Sequence, residues 1–170
     1  DLVGHLDADS VDLLISLGDL SDVTIEKAYL KYRPSKVFAV RGNHDTPGAF
    51  PGFVTNLHNR VEAFRGMTFG GLEGSWKYKA KGHYLYEQDE VSGMLESLPR
   101  VDVLISHNSP RGYHERDGDI HQGFDGLLAY IERIQPRYVL HGHQHLDKVT
   151  KIGQTSLIGV FGESKVILGQ

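Results

Sequence analysis

Gly18-Asp19, Gly42-Asn43-His44-Asp45, Ser106-His107-Asn108 and Gly142-His143-Gln144-His145 share one grammar: an apolar run, a tight loop, then a side chain that can hold a metal ion. Asp, Asn and His together form a nitrogen and oxygen donor set. Such a set suits Mn²⁺, Fe, Zn²⁺ or Co²⁺ better than the all-oxygen cage typical of Ca²⁺. Asp19 has two carboxylate oxygens and can bridge two ions, Asn43 supplies a neutral oxygen, and His107, His143 and His145 supply imidazole nitrogens. His143 and His145 are two residues apart, so on an extended segment they share a face and reach neighbouring ions. Two ions about 3.5–4 Å apart bring the pKa of a bridging water to near 7 and clamp the oxygens of an in-line phosphoryl displacement. His44 adjoins Asn43 but points elsewhere, which frees it to meet a substrate oxygen. Asp22 of Gly18-Asp19-Leu20-Ser21-Asp22 is the carboxylate that can hold the His44 imidazole in one tautomer.

Each of these residues also has a plainer reading. Gly-Asp and Gly-Asn are common turn pairs, Asp22 can be a helix N-cap, and Asp45 can shape its own turn. His141 alternates with His143 and His145 but sits inside a strand, where it packs. Arg111, His114, Asp117, Asp119 and His121 read as a solvated loop, with Arg111 and His121 as the candidates to line a substrate entrance. Trp76, Tyr78, Tyr84 and Tyr86 read as packing residues, and His5, His58 and His83 as surface.

Elements that would position these side chains follow from hydrophobic periodicity. Residues 11–17, 36–41, 101–106 and 137–141 are near-continuous apolar runs, the pattern of buried strands. In open α/β sheets ligands bind outside the carboxyl ends of such strands. Residues 23–32 predict a helix stopped before Pro34, 92–98 a short helix ahead of Pro99, and 124–134 a helix with an apolar stripe at 124, 127, 128, 131 and 134. Residues 61–64, 67–71 and 83–86 predict short strands, and 146–168 two or three closing strands. An α/β half, a β-rich middle and a β-rich tail predict a four-layer α/β/β/α sandwich of two packed mixed sheets. No linker or repeat divides residues 1–170, which read as one domain. No strand precedes Asp1, so a first strand is expected upstream of it.

Composition sets bounds on this chemistry. The 170 residues suffice for a sizeable core, and the net charge of −4 offers no electrostatic footprint for nucleic acid. Cysteine is absent, which excludes thiolate metal sites and disulfides and fits a cytoplasmic location. No apolar run reaches the roughly 18 residues needed to cross a membrane.

Gly-Asp-x-x-Asp, Gly-Asn-His-Asp, a lone strand-end His and Gly-His-x-His, in that order over residues 1–145, resemble the calcineurin-like metallophosphoesterase superfamily. The run His107-Asn108-Ser109-Pro110-Arg111-Gly112 with Asp117, Asp119 and His121 is similar to a small single-domain prokaryotic branch of it. The resemblance implies a metal-dependent phosphohydrolase with two divalent ions, Mn²⁺ first and Fe or Zn²⁺ next, acting on a small phosphomonoester or phosphodiester. It implies that Asp19 bridges the ions, that Asn43, His107 and His143 hold one, that Asp1 and His145 hold the other, and that His44 and Asp22 form a catalytic dyad. The family's first string is usually Asp-x-His-Gly. Here it reads Asp1-Leu2-Val3-Gly4, so Val3 stands where a ligand histidine belongs and the first ion is expected to bind weakly. The same fold also serves as a binding scaffold with weak or no catalysis, as in the retromer subunit that shares it. Val3 favours that alternative, and His44 beside an intact Asn43 opposes it.

Overall fold

The computed structural model describes the backbone of residues 3–4 and all of residues 11–169. The elements in order are β1 (Val3–Gly4), β2 (Leu13–Ser16), α1 (Asp22–Tyr32), β3 (Lys36–Ala39), β4 (Thr55–Asn56), β5 (Val61–Phe64), β6 (Met67–Leu72), β7 (Ser75–Trp76), β8 (Leu85–Tyr86), α2 (Gln88–Ser97), β9 (Val103–Ser106), α3 (Asp125–Ile134), β10 (Tyr138–His141), β11 (Lys148–Ile152), β12 (Thr155–Gly159) and β13 (Lys165–Val166). A 3₁₀ turn spans Asp119–His121.

Helix boundaries follow local chemistry. Ser21 caps α1 by accepting the Thr24 N–H at 3.2 Å, and Arg33 closes it in the left-handed region at φ 45°, one residue before Pro34. Asp22 is therefore the first residue inside α1, and Ser21 is its cap. Helix α2 begins four residues earlier than its apolar pattern suggests. Its polar first turn is held by the Glu90 carboxylate, which accepts the Glu87 N–H at 2.7 Å.

Two main sheets face each other. The smaller is the parallel set β2-β3-β4; the larger is six-stranded, β11-β12-β10-β9-β6-β5, with β6, β9, β10 and β12 parallel and antiparallel strands at both edges. Side chains alternate between faces along each strand. Val103 and Ile105 of β9 accordingly join Phe38, Val40, Leu57, Phe69, Leu140 and Ile158 in the core between the sheets. Leu104 points the other way, into a second core with Val139, Leu157 and the buried stripes of α2 and α3, Val91, Leu95, Leu127, Tyr130 and Ile131. Helix α1 lies along β2, with Ile25 and Tyr32 buried. The layering is the α/β/β/α sandwich that the sequence predicts. The short pairs β1-β13 and β7-β8 lie outside the two main sheets. The loops after β2, β3, β9 and β10 meet at one end of the sandwich.

Candidate metal centre

Two glycines let the first two loops cross. A Cβ on Gly18 would lie 2.6 Å from His107 Nδ1, and one on Gly42 would lie 2.6 Å from both the Asp19 nitrogen and His107 Cε1. No side chain fits at either crossing, and Gly18 also holds φ at 92°, a value glycine adopts at little cost. The crossing loops are clasped reciprocally. Asp45 Oδ2 accepts the Asp19 N–H at 3.0 Å and the Gly42 N–H at 2.7 Å, while Asp19 Oδ1 accepts the His44 N–H at 2.8 Å. Burial outweighs these two bonds and pushes the Asp45 carboxyl above its ordinary pKa.

Two ligand-capable histidines, His107 and His143, are each oriented by a backbone carbonyl. His107 Nδ1 lies 2.7 Å from the Leu17 carbonyl, which can only accept, so Nδ1 carries the proton and Nε2 is a bare lone pair. His143 Nε2 lies 2.9 Å from the Ile120 carbonyl and is protonated for the same reason, leaving Nδ1 bare. Burial holds both rings neutral, lowering the pKa of His107 and taking that of His143 down to about 4. His107 Nε2 then faces Asn43 Oδ1 at 3.1 Å and Asp19 Oδ2 at 3.5 Å. Asp19, His107 and His143 each present one ligand atom, all within 4.8 Å of one another. Lone pairs thus converge with no proton between them. A cation is the species that satisfies such a cluster, and its mixed oxygen and imidazole composition fits a divalent transition ion.

The other candidate residues are distributed around this cluster. His44 is exposed on the rim, its backbone tied to Asp19. The Asp22 carboxylate accepts from Arg41 at 2.8 Å, and among the described residues no hydrogen bond joins it to His44. Arg41 is buried, stacks on Phe50 at 3.6 Å from the ring centroid, and directly precedes Gly42. His145 is exposed, its ring 5.0 Å from that of Phe161 and outside the Asp19, His107 and His143 group. Asp1 lies outside the described residues, as does the side chain of Val3. Arg111 is engaged in an ion pair with Asp125 at 3.0 Å. The His121 ring, by contrast, lies 5.7 Å from that of His143.

Some residues that read as surface or packing have defined roles. The Tyr78 hydroxyl accepts from Asn43 Nδ2 at 3.4 Å, directing the amide oxygen toward His107. His114 is buried. His141 Nδ1 donates to the Gly142 carbonyl at 2.9 Å, so its bare Nε2 accepts from His114 Nδ1 at 2.8 Å, and His114 Nε2 accepts from the Thr150 hydroxyl at 2.8 Å. That relay pins the strand before His143. His58, expected at the surface, stacks on Tyr86 and faces Glu73 at 3.5 Å. Gln144 is wholly buried, and its amide binds Asn108, Ser109 and the His121 carbonyl, fastening the 116–121 loop to the site. A Gln between two histidines offers a sequence reader no sign of this.

The family model for calcineurin-like phosphoesterases matches residues 1–147. The chain is similar to the UPF0046 protein K07C11.7 of Caenorhabditis elegans, 34% identical over 95 residues that make up 54% of this chain and 32% of that protein. It therefore spans about a third of that relative's length. Among solved structures it resembles TT1561 of Thermus thermophilus, with TM-score 0.59 and 15% identity over 87% of this chain and 76% of that one. It also resembles phosphopantetheinyl hydrolase PptH of Mycobacterium tuberculosis, with TM-score 0.59 and 15% identity over 89% of this chain and 79% of that one. At that identity the two likenesses speak to fold.

Proposed function

Because this chain belongs to the calcineurin-like phosphoesterase family, we propose that it is a divalent-metal-dependent phosphoesterase acting on a small phosphomonoester or phosphodiester. The observation that carries the reading is the set of bare acceptors, Asp19 Oδ2, Asn43 Oδ1 and His107 Nε2, packed at 3.1–3.5 Å with His143 alongside. Asp19, Asn43, His107 and His143 are the residues that would hold one ion, with Asp1 and His145 contributing to a second. When bound, divalent ions supply activation of water and neutralisation of phosphoryl charge.

The chain's own residues do the rest. Leu17 and Ile120 fix the imidazole tautomers, so no proton has to be expelled before a ligand atom is available. The Asp45 carboxylate and the His44 backbone N–H fix Asp19. His44, on the rim next to Asn43, donates a proton to the departing alkoxide or phenolate oxygen. Asp22 acts on this loop through Arg41, which leads into Gly42. Mn²⁺ is the first choice of ion for this donor set, followed by Fe and Zn²⁺. A net charge of −4 favours a small substrate over nucleic acid. No helix among the described residues is long and apolar enough to cross a membrane.

Hydrolysis of bis(p-nitrophenyl) phosphate and p-nitrophenyl phosphate, with Mn²⁺ supplied, tests the proposal. Metal-dependent turnover of one of them, abolished by Asn43→Ala, is expected. Mn²⁺ binding at this cluster without turnover of either ester would replace the enzyme reading with the scaffold one.

A further inference from the structure

Resting on the phosphoesterase reading, we propose that Arg116, seated by His121, forms a second anion subsite at the edge of the metal centre. Its ligand would be a phosphoester carrying a further anionic group, such as a second phosphate, beyond the phosphorus that reacts.

The argument begins with His121. Its Nδ1 lies 3.0 Å from the Asp117 carbonyl, which fixes the proton there and leaves Nε2 to accept from Arg116 Nη2. The same ring lies 5.7 Å from the ring of His143. The guanidinium is therefore held by a ring that itself lies beside His143, a member of the candidate metal cluster. This placement is anchored by one wholly buried side chain. Wholly buried Gln144 accepts the Arg116 backbone N–H at 3.3 Å and donates to the His121 carbonyl at 2.8 Å, and the intervening Ile120 carbonyl accepts a hydrogen bond from His143 Nε2–H. The loop that carries Arg116 and the loop that carries His143 are thus tied together by hydrogen bonds.

The guanidinium also has unused capacity. Arg41, Arg65 and Arg111 are each neutralised by an aspartate, whereas Arg116 is in none of the ion pairs formed among the described residues. Glu115, Asp117 and Asp119 are exposed carboxylates close to it in sequence, and none forms an ion pair with it among the described residues. One of its five N–H groups is spent on His121, a neutral acceptor, and the rest of the fork faces solvent. An arginine held in place by a neutral partner, beside a site for phosphorus, is arranged for bidentate recognition of phosphate or carboxylate.

Titration of the Mn²⁺-loaded protein with thymidine 5′-phosphate and thymidine 3′,5′-bisphosphate tests the subsite directly. The bisphosphate should bind at least about tenfold more tightly, as expected for one added charge-assisted contact. Arg116→Gln should reduce that preference to less than about twofold, leave the monophosphate unaffected, and Arg116→Lys should fall between. Arg65→Gln, at an exposed arginine already paired with Asp12, should retain the full preference. Equal binding of the two nucleotides to the unaltered protein, or equal weakening of both by Arg116→Gln, would overturn the subsite. The p-nitrophenyl ester of thymidine 5′-phosphate, with and without a 3′-phosphate, tests the parent reading separately. Failure to hydrolyse these esters, bis(p-nitrophenyl) phosphate and p-nitrophenyl phosphate alike removes the phosphoesterase and leaves the binding ratio to decide the subsite.

Discussion

Asp45 and Asp19 are joined by a hydrogen bond that runs the opposite way from the one their neighbours make: the Asp19 N–H donates to Asp45 Oδ2 at 3.0 Å, and the His44 N–H donates back to Asp19 Oδ1 at 2.8 Å. Two loops from adjacent parallel strands are thereby locked in mutual register. The clasp uses Oδ1 of Asp19 and leaves Oδ2 facing His107. Asp45 contributes no ligand atom, yet it determines where a ligand atom stands.

Asp45→Ala should therefore cost metal affinity as well as stability. Two backbone N–H groups lose their acceptor, and each such loss costs about 1–3 kcal/mol in a buried setting. Removal of a partner that orients a ligand lowers metal affinity roughly 10- to 100-fold. Asp45→Asn keeps an acceptor oxygen and relieves the burial of a charge, so its loss should be the smaller in both. Urea unfolding and Mn²⁺ titration of the two variants measure the two effects.

Gly42→Ala should be worse for the site than for the fold. The added methyl meets the Asp19 backbone and His107 Cε1 at 2.6 Å, so one ligand or the other must move. Overpacking of this kind costs about 1–3 kcal/mol. Gly93, where a Cβ would meet nothing within 4 Å, is the control: Gly93→Ala should leave metal binding unchanged.

His44→Ala should separate chemistry from binding. The imidazole is exposed and makes no hydrogen bond among the described residues, so metal content should match that of the unaltered protein. Turnover should fall by roughly 10²–10⁴-fold, the range of general acid–base groups, and by less for esters with good leaving groups. Asn43→Ala and His143→Ala should instead lose Mn²⁺ itself. Metal analysis beside kinetics distinguishes the patterns, and loss of metal from His44→Ala would reassign the roles within Gly42–Asp45.

Much of this arrangement is legible in the sequence because strands end where apolar runs end. Asp19, Asn43, His107 and His143 each follow such a run, and parallel strands deliver their ends to one edge. Side-chain direction is what spacing does not encode. Asp22 sits at the right distance from Asp19 to serve His44, yet Arg41, buried beneath the loop, takes its carboxylate. Arg111 and Arg116 are both basic residues in one polar loop, and only the fold reveals that Asp125 captures the first while His121 holds the second. Strand β4 is two residues long, too short for any period to register. The Tyr78 contact with Asn43 joins residues 35 apart, and both lie outside helices and strands, where neither helical nor strand periodicity applies.

Asp102 offers a test of how β9 is set so that His107 emerges at its end. Its Oδ2 accepts both the Thr68 N–H at 2.8 Å and the Thr68 hydroxyl at 2.9 Å, tying the entry of β9 to β6. The Thr68 N–H bond is the largest influence on its carboxyl and holds it below the ordinary value of 3.8, helped by the hydroxyl and by Arg137 and Arg100. A depressed carboxyl pKa means that the unfolded chain binds the proton more readily than the folded one. The stabilisation is therefore fully present above about 4 and disappears as the pH falls through the folded pKa. Asp102→Asn retains an acceptor and removes the charge, and should cost about 1 kcal/mol at pH 7, the difference between a charged and a neutral hydrogen-bond acceptor. The gap between the variant and the unaltered protein should narrow steadily below pH 4. Urea unfolding of both at a series of pH values from 7 downward measures it, and a gap that stays constant into acid would place the contribution of Asp102 in shape and packing rather than in its charge.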